Sequence, residues 1–67
     1  MQLNVNGSTR KFEAPVRTVA DLVRELSLEG KRIAVEKNGA IVPRSRYADT
    51  PVVDGDALEI VGAVGGG

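Results

Sequence analysis

The sequence predicts an α+β domain in which one helix lies across a mixed sheet of about five strands. Apolar and polar residues alternate near both ends of the chain, as in half-buried strands. Between Thr18 and Leu26 the apolar spacing lengthens to that of a helix. Asn-Gly and Asp-Gly pairs punctuate the segments where hairpins must turn.

Met1, Leu3 and Val5 alternate with Gln2 and Asn4, and Asn6-Gly7 follows as a tight turn. The returning strand is expected from about Thr9 to Ala14 with Phe12 inward, closed by Pro15, which has no N–H for the ladder. Val19, Leu22, Val23 and Leu26 then share one helical face, with Asp21, Arg24 and Glu25 outward. Thr18 reads as the N-cap and Asp21 as the acid of a short capping box. Gly30 reads as the stop signal, with Leu28 folding back on the core. Ile33 and Val35 mark a third strand, Asn38-Gly39 a second hairpin turn, and Ala40 to Val42 a short strand ended by Pro43. The stretch from Arg44 to Val53 lacks a clean period and reads as a loop or a single tight helical turn. Asp54-Gly55-Asp56 makes one more turn, after which Leu58, Ile60 and Val61 form the last strand.

The folded domain is therefore expected over residues 1–61, and residues 62–67 as a flexible tail. That tail, Gly62-Ala63-Val64-Gly65-Gly66-Gly67, has no charge and no large side chain. Fixing a residue's backbone costs roughly 1–2 kcal/mol and glycine loses the most freedom, so the tail is expected to move until a partner holds it. A loose end is the plain alternative, but the Ala63-Val64 pair is unlike a Gly/Ser linker.

A chain of 67 residues holds one domain and one modest core. Nine basic and nine acidic residues cancel, leaving no long-range field to draw it to nucleic acid or an anionic membrane. Phe12 and Tyr47 alone give no aromatic surface for stacking bases. No apolar run approaches a bilayer span and no secretory leader is present, so the expected location is cytoplasmic. The absence of Cys and His removes thiol nucleophiles, imidazole catalysis and the usual zinc and iron–sulfur ligands, so no metal site is expected. Asp54 and Asp56 read as turn residues, because a calcium loop needs more oxygen ligands than they supply.

Several pieces recur in an ordered set: Val5-Asn6-Gly7, Thr18-Val19-Ala20-Asp21-Leu22, Val35 to Arg44 with Asn38-Gly39-Ala40-Ile41-Val42-Pro43, Asp54-Gly55-Asp56, and the final Val64-Gly65-Gly66-Gly67. In order and spacing they resemble the thiamin-pathway sulfur carriers, the ThiS type of ubiquitin-like protein, over nearly the whole chain. The resemblance implies a ubiquitin-like β-grasp fold with a C-terminal Gly-Gly tail, and a carrier that is a co-substrate rather than an enzyme. It implies that an E1-like adenylating enzyme activates the carboxylate of Gly67 with ATP and that the acyl adenylate becomes a thiocarboxylate. The sulfur would come from a donor such as a cysteine desulfurase and pass to a thiazole synthase. The chain itself would bind no cofactor, ATP being used by the activating enzyme.

The tail residues Val64, Gly65 and Gly66 would meet the partner, and glycine is needed at Gly66 and Gly67 because the terminus must pass down a narrow channel where any Cβ would widen the strand. At about 3.3–3.6 Å per residue, the six residues after Val61 reach roughly 20 Å. Strand parity places Ile41, Val42 and Val61 on the open face as a docking surface. Arg44, with Arg46 in the same loop, is placed to meet acidic groups of an activating enzyme or phosphate. A molybdopterin-pathway carrier and a ubiquitin-like modifier share the fold and tail and remain alternatives. The short length and the Asn38-to-Arg44 block favour the thiamin pathway.

Overall fold

Inward-facing Leu3 and Val5 at one end of the chain and Leu58 and Ile60 at the other can bury their side chains only by sharing one sheet, and they do. The computed structural model describes residues 1–62. In chain order these form β1 (Gln2–Val5), β2 (Ser8–Lys11), α1 (Val19–Glu25), β3 (Ile33–Lys37), β4 (Ala40–Val42), a 3-10 helix (Arg44–Asp49) and β5 (Ala57–Gly62). The five strands make one sheet in the order β2-β1-β5-β3-β4. β1 runs parallel to β5, with Asn4 opposite Ala57 and Val5 opposite Leu58, while the other pairs are antiparallel. The last strand in sequence is thus the middle strand in space.

α1 covers one face of this sheet. Val19 and Leu22 are fully buried, Val23 nearly so, and they join Leu3, Val5, Val35, Val42, Leu58 and Ile60 in one core closed by Val16 and Val52. The capping box at its start is complete: Thr18 Oγ1 accepts from the Asp21 N–H at 3.2 Å, and the Asp21 carboxylate accepts from the N–H groups of Thr18 (3.2 Å) and Arg17 (2.9 Å). An aspartate is long enough here because its side chain reaches the cap backbone directly.

The end of α1 differs from the expectation. The helix stops at Glu25 with Leu26 as C-cap, and the left-handed residue after it is Ser27 (φ 60°), not Gly30. Ser27 N–H donates to Arg24 O (3.0 Å) and Leu28 N–H to Val23 O (2.9 Å), the paired bonds of a Schellman motif. Leu28 then folds half-buried against the core, as expected, while Gly30 (φ 77°) serves the following turn, closed by Lys31 N–H to Leu28 O.

β2 is also shorter than expected, ending at Lys11 rather than Ala14. Its neighbour β1 opens at Gln2, opposite Lys11, and one further bond, Phe12 N–H to Met1 O (2.9 Å), closes the ladder before Glu13. All four β2 residues are exposed, as suits an edge strand carrying Arg10 and Lys11, and the Phe12 ring packs half-buried on the core. β5 extends one residue beyond the expected boundary. Gly62 pairs with Ile33 and belongs to the sheet rather than the tail. The segment after Pro43 folds into the 3-10 helix, which packs against α1 through half-buried Tyr47.

Candidate functional site

The reading from sequence puts the reactive group at Gly67 and its approach at Val64, Gly65 and Gly66; all four lie outside the described residues. The structure describes what precedes them: β5, its supports, and the faces beside it.

β5 is gripped from both sides by the two Asn-Gly turns. Asn6 (φ 53°) and Asn38 (φ 50°) both take the left-handed conformation that a two-residue hairpin turn needs, followed by Gly7 and Gly39, also at positive φ. Their side chains then do more than turn the chain. Asn6 Nδ2 donates to Ile60 O at 2.9 Å and Asn6 Oδ1 accepts from Ile60 N–H at 2.7 Å, so a side-chain amide continues the β1–β5 ladder past the end of β1. Asn38 Oδ1 accepts from Ala57 N–H at 2.9 Å, and Asn38 Nδ2 donates to Asp56 Oδ1 at 3.0 Å. One turn thus holds the entrance of β5 and the other its exit, beside the residues that lead to 63–67. Sequence reasoning read both asparagines as turn formers only. The available signal was their identity, since Gly-Gly turns as readily but offers no amide.

The Asp54-Gly55-Asp56 turn is structural, as expected. Asp54 Oδ1 accepts from Gln2 N–H (2.6 Å), and Asp56 Oδ2 accepts from Val53 N–H (2.9 Å). Partial burial pushes the Asp56 carboxyl upward, but the bonds from Val53 and Asn38, with Lys37 nearby, outweigh it and hold the group below the usual aspartate value. Among the described residues no three Asp or Glu side chains gather as metal ligands would.

On the face of the sheet away from α1, Ile41 is 77% and Val61 56% exposed. Together with Ala34, Glu36 and Glu59 they line a shallow hollow of about 170 Å³. Val42 does not belong with them. It is only 7% exposed and sits in the core, because neighbours on a strand point to opposite faces and Ile41 takes the outer one. Nor does Arg44 join this face. It lines a separate groove beside α1 with Ala20, Val23, Leu28 and Tyr47, and its Nη2 donates to Lys31 O at 3.0 Å. Arg46 is exposed, and its carbonyl accepts from Thr50 Oγ1. The structure therefore brings together Ile41 and Val61 and places Val42 and Arg44 elsewhere. It also adds the Glu36–Glu59 pair, whose opposition was invisible until β3 and β5 were known to be neighbours.

With this geometry in hand, comparison with known proteins is informative. The family model described as "ThiS family" matches residues 3–67. The sulfur carrier protein ThiS of Bacillus subtilis is 38% identical over 65 residues, covering 97% of this chain and 98% of that protein. A protein named thiazole synthase from Paramagnetospirillum magneticum is 49% identical over all 67 residues, and a second from Magnetococcus marinus is 33% identical over 67; the chain spans only 20% of the length of each. Among solved structures, the crystal structure of the thiamine biosynthesis protein (ThiS) from Geobacter metallireducens superposes with a TM-score of 0.85, at 33% identity and full coverage of both chains.

Proposed function

The chain belongs to the ThiS family, and we propose that the terminal carboxylate of Gly67 is the group on which it carries sulfur for thiamine biosynthesis. The single observation that carries this reading is that the family likeness runs through residue 67 and so takes in the Gly65-Gly66-Gly67 ending as well as the folded domain.

The chemistry needs nothing that the composition lacks. A carboxylate resists substitution because oxide is a poor leaving group. Attack of the Gly67 carboxylate on the α-phosphorus of ATP, on an E1-like activating enzyme, releases pyrophosphate and leaves an acyl adenylate. A sulfur nucleophile, such as a persulfide on a cysteine desulfurase, then adds at the carbonyl carbon and AMP departs, leaving an acyl disulfide; two electrons from a thiol reductant cleave its S–S bond, giving the thiocarboxylate and freeing the donor's thiol. A protein with no cysteine can thus hold sulfur on a backbone carbon. Thiazole synthase is the acceptor, and the two long relatives of that name agree with this. The chain acts as a co-substrate, working in the cytoplasm, with ATP bound by the activating enzyme.

What the described residues contribute is presentation. β5 is paired on both sides and pinned at Ile60, so the chain leaves the domain from a fixed strand end at Gly62. Val64, Gly65 and Gly66 pass into the partner, while Ile41 and Val61 meet its surface; Arg44, on the α1 side, is a second contact.

The test is intact-mass measurement after incubation with ATP, the activating enzyme and a sulfur source. The expected result is exchange of one oxygen for one sulfur, located on the C-terminal peptide. An unchanged mass with an activating enzyme that modifies its own carrier overturns the reading.

A further inference from the structure

We propose that Asn38 is a site of spontaneous covalent modification in the folded protein, its side-chain amide being displaced by the backbone nitrogen of Gly39 and the product hydrolysed to aspartate and isoaspartate, while the bonds to Ile60 hold back the same reaction at Asn6.

The chemistry belongs to the Asn-Gly pair. Asparagine is among the thermolabile residues, and a glycine after it puts no Cβ in the way of the attacking nitrogen. The glycine nitrogen bonds to the asparagine Cγ and gives up its proton; the Cγ–Nδ2 bond breaks, and Nδ2 leaves as ammonia with that proton. The cyclic imide that remains takes up one water, the only co-reactant. Opening at Cγ gives aspartate. Opening at the backbone carbonyl carbon gives isoaspartate, in which the main chain runs through the side-chain carbon. Both Asn6-Gly7 and Asn38-Gly39 meet the sequence requirement, and the two asparagines hold nearly the same left-handed conformation, at φ 53° and 50°. Backbone shape therefore does not separate them, but their hydrogen bonds do.

At Asn6 both reacting groups are committed. The amide exchanges two partly buried bonds with the backbone of Ile60, and Gly7 N–H donates to Asn4 Oδ1 at 3.0 Å. Ring closure must break all of these and leave the N–H and C=O of buried Ile60 without partners. At Asn38 the hold is weaker. Its Nδ2 donates to the Asp56 carboxylate in an exposed bond that water can replace, and its Oδ1 accepts from Ala57 N–H, also in the open. Gly39 N–H has no hydrogen-bond partner among the described residues. The attacking nitrogen is thus engaged at one turn and unengaged at the other.

The products act on the start of β5. A carboxylate at position 38 has no hydrogen to offer Asp56 and stands against its charge. Isoaspartate also lengthens the main chain by one carbon inside the turn that brings Lys37 opposite Ala40. Because β4 lies at the edge of the sheet, that shift falls on Ala40–Val42, and the five residue pairs between β3 and β5 are kept. The modified chain stays folded with a loosened β3–β4 hairpin.

The experiment incubates the intact chain at mildly alkaline pH, folded and, in parallel, unfolded in urea. Digestion in acid and peptide mass spectrometry then read, at each asparagine, the mass gained when water replaces ammonia; methyl transfer by an isoaspartate methyltransferase reads the isoaspartate. In the folded chain Asn38 should convert about tenfold faster than Asn6 or more, the factor that one additional hydrogen bond to break is worth. In urea the two should convert at similar rates. Asn4→Ala, which releases Gly7 N–H, should speed conversion at Asn6, and Asp56→Ala should speed it at Asn38. Equal rates in the folded chain, faster conversion at Asn6, a difference that persists in urea, or a folded Asn38 that stays intact while the unfolded one converts would each overturn the proposal. So would rates that neither substitution alters. None of these readouts involves sulfur, so the result is independent of the carrier reading.

Discussion

Asn6 and Ile60, 54 residues apart in sequence, exchange two hydrogen bonds at 2.9 and 2.7 Å, so that a side-chain amide performs the work of a strand residue. Asn6→Gly keeps the backbone freedom that the turn needs and removes only the latch. It should destabilise the domain by about 1–3 kcal/mol, since Ile60 loses partners for both its N–H and its C=O. Amide hydrogen exchange supplies the specific readout: protection at Ile60 should fall more than at Leu58. Asn6→Asp should also weaken the domain, because a carboxylate then faces the Ile60 carbonyl.

At the other end of α1, Ser27 holds a left-handed conformation without being glycine. Ser27→Gly removes the Cβ penalty of about 1 kcal/mol while leaving the Schellman bonds in place. Thermal unfolding should show a rise of a few degrees. Ser27→Val should lower the melting temperature by a larger amount.

Asp21 gives stability a sign with pH. The bond from the Arg17 N–H is the largest cause holding its carboxyl below the usual value; burial opposes it, and the Thr18 N–H and the Arg24 guanidinium add to it so that the lowering wins. A group depressed on folding contributes fully above its unfolded value, about 3.9, and loses that contribution as pH falls through its lower folded value. Asp21→Asn should therefore melt below wild type at neutral pH, and the gap should close on acidification through that range. A constant gap across pH would show that the charge is irrelevant to the cap.

Leu22 is fully buried at the centre of the helix–sheet contact. Leu22→Ala should cost about 2–5 kcal/mol. A single core of this size supplies roughly 3–5 kcal/mol, so circular dichroism should show the variant largely unfolded or melting far below wild type.

For the chain's chemistry, one alanine added after Gly67 should leave the melting temperature unchanged and abolish sulfur gain, measured by intact mass. Normal conversion of the extended chain would place the reactive group elsewhere.

Much of the fold was legible because its signals are local. The shift from two-residue to helical spacing at Thr18, the Thr18–Asp21 box and the Asn-Gly pairs each depend on residues a few positions apart. The helix end was misread because Ser27 carries no glycine's mark, and only the pair of backbone bonds reveals its role. β2 was drawn too long because its length is set by where its partner begins, which its own residues do not encode. Val42 and Ile41 were assigned one face although adjacent strand residues cannot share it. The Asn6–Ile60 latch and the Glu36–Glu59 pair depend on β5 lying between β1 and β3, a relationship between distant segments that no local pattern announces.

The placement of β5 also governs how the protein comes into being. Until residues 57–62 have been made, the β1–β2 and β3–β4 hairpins share no edge, and an isolated hairpin is at best marginally stable in water. A polypeptide cut short before that point therefore has two unjoined halves and remains open to cellular proteases. The two halves of the sheet join only once β5 is in place, so the domain over residues 1–62 gains its shape in one late step rather than hairpin by hairpin.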